Sequence, residues 1–235
     1  MNIFKIIFEL CFPEKCISCG SEGEIICDKC KSFIETLKTF ECSACFKSTK
    51  FGEFCCDKCS KEFFFDYLLV STRYSRSPLI KELIKRFKYR NKKGLTLFFG
   101  EILNKRFEEF LLVRPDLKNI VVSPVPMDRK KEKERGYNQS ELLSKNLAKH
   151  FRLTHLSPLK WIKYAGQQAG KSRQERIMSR AFSMGVVKGF QDKIFGKDFL
   201  LVDDVAATMS TVNECSRVLR ENGAKSIGVI VISRK

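Results

Sequence analysis

F-L-L-V-D-D-V-A-A-T-M-S-T, from Phe199 to Thr211, decides the fold. Phe199 to Val202 is an apolar run with no polar partner on either face, which predicts a buried strand of a parallel sheet. Asp203 and Asp204 follow at that strand's carboxyl end, the place where open α/β sheets bind ligands. Ala206, Ala207, Thr208, Met209, Ser210 and Thr211 then make a turn of small and hydroxylated residues that opens a helix, a natural anion site. Val212, Cys215 and Leu219 recur on one face of that helix, Asn222-Gly223 stops it, and Ser226 to Ile232 returns as a second apolar strand. The expected fold class is α/β, a parallel sheet flanked by helices. Paired Asp residues also serve as strand-end caps and mark phosphoacceptor receiver domains. A receiver carries its acids near the start of the domain, whereas only one strand follows here.

Outward from this stretch, the chain has 235 residues, enough for one sizeable α/β domain and a small module. Its 44 Lys+Arg against 27 Asp+Glu give a formal charge of +17, which favours an anionic partner such as nucleic acid or a polyphosphate metabolite. Ile3, Ile6, Ile7 and Leu10 share a helical face, so residues 3–12 read as a short amphipathic helix. Lys5 and Glu9 interrupt that stretch, so no signal peptide is expected. No apolar run approaches the roughly twenty residues of a membrane span, and the expected location is cytoplasmic.

Ten of the eleven cysteines lie between Cys11 and Cys59. They include four Cys-x-x-Cys pairs: Cys16/Cys19, Cys27/Cys30, Cys42/Cys45 and Cys56/Cys59. A two-residue gap lets a tight turn aim both thiolates at one tetrahedral ion, and two pairs close a four-sulfur site. The reading is a double zinc ribbon with two structural zinc ions, over residues 1–62, ahead of an α/β domain over residues 63–235. An iron–sulfur cluster or a redox-active thiol pair is the alternative chemistry. Cys11 and Cys55 are left over, and Cys55 competes with Cys56 for the second site, where the gap to Cys59 favours Cys56. Four ligands each leave neither ion an open position, so the module reads as structural or nucleic-acid binding.

Between these regions, Phe63 to Val70 reads as a strand and Leu79 to Gly94 as a helix burying Leu79, Ile80, Leu83, Ile84 and Phe87. Its other face carries Lys81, Lys85, Arg86, Lys88 and Arg90, with Lys92 and Lys93 beyond, against one Glu82: a surface suited to a polyanion. Ile120 to Val122 is another short strand. After it, Arg129 to Arg135, five basic residues interleaved with two acids, reads as a charged loop suited to cradling pyrophosphate, with Arg129, Lys130, Arg135 and Gly136 as the candidates. Asn138-x-x-Glu141 then caps a helix that includes Leu142, Leu143 and Leu147. Ala165 to Phe182, rich in small residues and Gln, reads as a loop able to close over a phosphate. His150 and His155 stand apart from every motif.

Two resemblances attach to these residues. The acid pair with its Thr-rich turn resembles the ribose-phosphate motif of type I phosphoribosyltransferases. That likeness implies ribose hydroxyls on Asp203 and Asp204, with the 5′-phosphate on Thr208, Ser210 and Thr211. The string P-V-P-M-D-R-K-K-E-K-E-R-G-Y-N-Q-S, together with the cysteine pairs, is similar to the signature of the ComF family. Gln168, Gly170, Arg176 and Ala181-Phe182 match that family's closing loop in part. The family likeness implies a DNA-uptake factor of natural transformation that binds phosphoribosyl pyrophosphate with Mg²⁺ and single-stranded DNA, with other DNA-uptake proteins as further partners. The alternative is an active transferase acting on a base or amine, and no catalytic residue is assigned. This chain departs from the family turn D-D-V-x-T-T-G-x-T, with Ala207 for the first Thr and Met209 for the Gly. Both changes argue for weaker binding and little turnover.

Overall fold

The computed structural model describes residues 14–37, 42, 45–47, 56–90, 92–117, 119–162 and 184–235. Chain order gives α1 (Asp28–Lys31), α2 (Asp57–Ser60), β1 (Tyr67–Arg73), α3 (Pro78–Tyr89) and α4 (Leu95–Val113). Next come β2 (Ile120–Pro124), α5 (Arg129–Arg135), α6 (Gln139–Phe151), β3 (Thr154–His155), β4 (Leu159–Trp161) and β5 (Met184–Val186). The chain continues with α7 (Gln191–Ile194), β6 (Asp198–Ala206), α8 (Ser210–Glu221) and β7 (Ser226–Arg234). The main sheet runs β1-β7-β6-β2-β3 with every neighbouring pair parallel, and β4 and β5 form a separate antiparallel pair.

Alternation along β6 assigns its two faces. Leu200 and Val202 join the apolar cluster that holds α3, α4 and α6, while Phe199 and Leu201 join the cluster that holds α8. A strand buried on both sides needs an unbroken apolar run, which is why this stretch has no alternation in its sequence. The connection leaving β2 packs its helix α6 on one face, and the connection leaving β6 packs α8 on the other. The crevice between the ends of β2 and β6 is therefore the switch point where open α/β sheets bind ligands.

Three expectations are corrected. The first strand covers Tyr67–Arg73 rather than starting at Phe63. Phe64 N–H donates to Asn213 Oδ1 at 2.7 Å, and Asp66 accepts from Arg220 at 2.8 Å and from Ile227 N–H at 2.7 Å, so these residues fasten onto α8 and β7. The basic helix ends at Tyr89, and Gly94 caps the next helix. The segment read as a loop from Arg129 is a short helix, because Asp128 caps Lys130 and Lys131 N–H and Gly136, at φ 78°, supplies the left-handed stop. Helix α4 adds to the expected elements, and its Leu95, Phe98, Phe99, Leu103, Phe107 and Phe110 all face the core. The expected helix over residues 3–12 lies outside the described residues.

The cysteine-bearing segments are joined to this core. Cys16, Ile26 and Cys30 pack into the α4 cluster, and Leu37, Cys42 and Cys59 into the α8 cluster. Leu37 N–H donates to Ser71 O at 2.8 Å, and the Leu37 carbonyl accepts from buried Arg106 at 3.3 Å.

Candidate functional site

Strand β6 keeps its β2 neighbour only as far as Val202, which pairs with Pro124; from Asp203 to Ala206 it is paired with β7 alone. The acids thus lie on an edge that opens into the crevice, inside the strand rather than beyond its end. Asp203 Oδ1 accepts from Ser140 Oγ at 2.7 Å and from Asp204 N–H at 2.9 Å. Asp204 is 5% exposed, and its Oδ1 lies 3.0 Å from Lys88 Nζ. Burial pushes the Asp203 carboxyl up to about 6; the neighbouring Asp204 charge adds to this, while the Ser140 hydrogen bond and Lys88 hold it down in part.

That displacement has a consequence for stability. The folded value lies above the roughly 3.9 of an unfolded Asp, so the ionised form opposes folding. The favourable contribution is complete below about pH 4 and is lost as the pH rises through about 6. Asp203→Asn keeps an oxygen for Ser140 and for Asp204 N–H. It is expected to raise the thermal midpoint near pH 7.5 by several degrees and to leave it nearly unchanged near pH 4. Equal or lower stability of the variant near pH 7.5 would refute the account.

The turn after β6 carries Ala207 and Thr208 exposed, with Thr208 Oγ1 3.0 Å from Ser210 Oγ. Met209 adopts φ 58°, the left-handed conformation a Gly would have supplied, and its side chain is 4% exposed among the α8 cluster. The residue therefore preserves the turn and points away from it. Ser210 begins α8, so the first N–H groups of a twelve-residue helix face the crevice beside Thr211.

The R-G-Y-N-Q-S string is a brace behind these acids. Arg135 lies with its guanidinium 5.1 Å from the Tyr89 ring centre and donates to Gln139 Oε1 at 3.2 Å. Tyr137 Oη and Gln139 Nε2 both donate to the Phe87 carbonyl. Asn138 caps α6 through Ser140 N–H at 3.0 Å and reaches the Val125 carbonyl at 3.3 Å. Together they fix the end of α3, the exit of β2 and Asp203 to one another. Glu141 takes no part in a capping box; it binds Lys145 and Ser157 instead. Arg129 and Lys130 are exposed on α5, and Gln168, Gly170 and Arg176 lie outside the described residues.

Charge counting missed how much of the basic face is already paired. Arg86 binds Glu82 at 2.7 Å, Lys92 binds Glu14 at 3.7 Å, and Lys88 is turned inward onto Asp204. No sequence signal marks the last pair, because its partners are far apart in the chain.

The cysteines gather as two sets, Cys16, Cys19, Cys27, Cys30 and Cys42, Cys45, Cys56, Cys59, with the sulfurs of each set all within 4.8 Å of one another. Cys19 and Cys27 sulfurs are 3.6 Å apart, and Cys45 and Cys56 3.8 Å; a tetrahedral ion with bonds of about 2.3 Å needs about 3.8 Å. The two sets repeat one another. In each, C-D-K-C opens a short helix, and the third cysteine's N–H donates to the first cysteine's sulfur, at 3.5 Å from Cys27 and 3.3 Å from Cys56. Gly20, at φ 79°, turns the first knuckle. Burial raises the Cys16 thiol, but N–H groups of Cys27, Cys19 and Ser18 bring it down to about 6. Cys30 has a hydrogen bond to Ser18 that lowers it, yet burial and the other three thiols push it up to about 12. Four soft donors so crowded suit a divalent ion and are compatible with zinc. Cys56 belongs to the second set; Cys11 and Cys55 lie outside the described residues.

A parallel sheet flanked by helices, with an acid pair and a helix-opening turn at the switch point, defines an α/β protein with a candidate anion site, here joined to two four-cysteine clusters that could form zinc ribbons. Competence protein F of Haemophilus influenzae is 30% identical over 232 residues, covering 88% of this chain and 96% of that one. Competence protein ComFC of Bacillus subtilis is 27% identical over 218 residues, covering 90% of this chain and 85% of that one. The chain belongs to the ComF family of competence proteins. Among solved structures, adenine phosphoribosyltransferase from Saccharomyces cerevisiae aligns with a TM-score of 0.38 at 14% identity, over 58% of this chain and 68% of that one. No family model matches the chain. Among the described residues, no helix is long and apolar enough to cross a membrane.

Proposed function

We propose that the chain binds phosphoribosyl pyrophosphate with Mg²⁺ at the acid pair and single-stranded DNA on its basic surface, as a cytoplasmic DNA-uptake factor with little transferase turnover. The observation that carries this reading is the open edge of β6, where Asp203 and Asp204 run straight into a left-handed turn and the N-terminus of α8. On this reading the acids take the ribose hydroxyls, and the N–H groups and hydroxyls from Ala206 to Thr211 take the 5′-phosphate. Arg129, Lys130, Arg135 and Gly136 border the pyrophosphate, and Gln168, Gly170 and Arg176, outside the described residues, belong to the closing loop that the family likeness implies. Mg²⁺ supplies charge neutralisation on the pyrophosphate, and a carboxylate pair in which Asp204 is paired with Lys88 is a fitting set to hold it. Residues 1–62 form a module with two structural zinc ions, and residues 63–235 form the ligand domain.

Isothermal titration with phosphoribosyl pyrophosphate and Mg²⁺ tests the site. Binding is expected in the natural sequence, with about tenfold loss or more in Asp204→Asn. No heat of binding in the natural sequence would overturn the reading. Preservation of the turn by Met209 favours a second reading, an active transferase on an unidentified base or amine. Exposed Ala207 offers neither a proton acceptor nor a donor, which weighs against it. Robust pyrophosphate release with any acceptor would decide for the enzyme.

A further inference from the structure

Lys88 belongs to two spaces at once. Its Nζ neutralises Asp204, and its stem lines a cleft of about 540 Å³ between α3 and the end of β6, a volume within the range of sites for small ligands. Lys81, Lys85 and Lys235 also line this cleft, together with Ala207 of the turn. Glu82 is the acid on its wall and is held by Arg86 at 2.7 Å. Among the described residues no acid lies within ion-pair distance of Lys81, Lys85 or Lys235, so their charges face the cleft together. Two rings border it: Tyr74, beside which Lys81 Nζ lies at 5.7 Å, and Tyr89, which is 67% exposed. Clustered ammonium groups bordered by two tyrosine rings, each with a cation against it, suit a strand whose phosphates are evenly spaced and whose bases are unpaired.

We propose that this cleft seats the phosphate backbone of a single nucleic-acid strand, and that Lys88 is the residue it shares with the acid pair. The proposal rests on the reading of Asp203 and Asp204 as a ribose and Mg²⁺ site. A cation arriving at Asp204 removes the partner that holds Lys88 inward. Lys88 then turns to the cleft, adds a fourth ammonium group and tightens the strand. By linkage the strand draws Lys88 off Asp204 and tightens the ribose phosphate by the same factor. One added phosphate contact is expected to change strand affinity about three- to tenfold and to steepen the salt dependence by somewhat under one unit of slope.

The test is fluorescence anisotropy of a labelled oligothymidylate at low salt, with and without phosphoribosyl pyrophosphate and Mg²⁺, beside calorimetry of the ligand alone. The natural sequence is expected to bind the strand about three- to tenfold more tightly with ligand present. Lys81→Gln/Lys85→Gln weakens the strand several-fold under both conditions. Lys88→Gln removes the ligand effect, and Lys88→Arg retains it. Asp204→Asn frees Lys88 without any ligand, so it is expected to hold the strand at the tight level throughout; this arm stands even if Lys88→Gln does not fold. Ligand and strand that both bind but ignore one another overturn the shared role of Lys88 and leave the ribose-site reading intact. Strand affinity indifferent to Lys81 and Lys85, or equal affinity for a duplex probe, overturns the cleft. Absence of ligand heat overturns the ribose-site reading and the proposal with it.

Discussion

Cys30→Ser is expected to lower bound zinc from about two ions per chain to about one and to reduce the thermal midpoint by roughly 10 °C or more. A structural zinc site supplies on the order of 10 kcal/mol, and losing one of four thiolates forfeits a sizeable part of that. The damage is not confined to the knuckle. Cys16 and Cys30 are 3% and 4% exposed and pack in one cluster with Ile26, Leu95, Phe98 and Phe99, so a metal held by this set would fix one wall of the sheet's own core. The second set is anchored in the opposite cluster through Cys42 and Cys59, near Leu37 and Val70. Cys59→Ser is expected to act alike, whereas Cys55→Ser should leave both ions in place, since Cys56 closes that set. Metal analysis beside thermal denaturation checks all three. Full zinc content in Cys30→Ser with an unchanged midpoint would dismiss the first site, and iron in place of zinc would dismiss the ribbon.

Legibility of the chain followed the range of the forces involved. Local signals were strong where one element buries both faces or one residue type fixes a turn. The run Phe199 to Val202, the Cys-x-x-Cys pairs, the Asn138 cap and Gly136 could each be read from neighbours alone. Helix α4 has a core face from Leu95 to Phe110 that is hard to read from the sequence, because apolar residues such as Leu97 and Leu112, both exposed, blur its stripe. The strand expected at Phe63 failed for a different reason: aromatic runs favour strands, but Asp66 finds Arg220 and the Ile227 N–H, and these long-range bonds set where pairing begins. Lys88 and the Phe87 carbonyl are of the same kind. Their partners, Asp204 and the Tyr137–Gln139 pair, become neighbours only when the sheet is assembled.

Met209 shows what a motif departure means once the backbone is known. Beside a Gly-bearing turn it predicts obstruction, and Ala207→Thr with Met209→Gly should then strengthen ligand binding. At φ 58° the main chain already has the Gly-like conformation, and the side chain fills the apolar cluster beside Val212, Cys215 and Val231. Two opposing terms follow. The left-handed conformation costs a residue with a Cβ about 1–2 kcal/mol, while truncating a buried Met forfeits about 2–5 kcal/mol. Burial wins. Met209→Ala loses the packing and keeps the strain, so it is expected to be the least stable variant, by about 2–5 kcal/mol in chemical denaturation. Met209→Gly loses the packing but sheds the strain, so it should sit about 1 kcal/mol above the alanine variant, the reverse of the order these residues show inside a helix. Both variants should bind phosphoribosyl pyrophosphate within about threefold of the natural sequence under conditions where they are folded, because the turn's N–H groups do not move. A glycine variant less stable than the alanine one would deny the left-handed turn. A glycine variant that binds the ligand tenfold better would restore Met209 as an obstruction and place the weakness of the site in this residue.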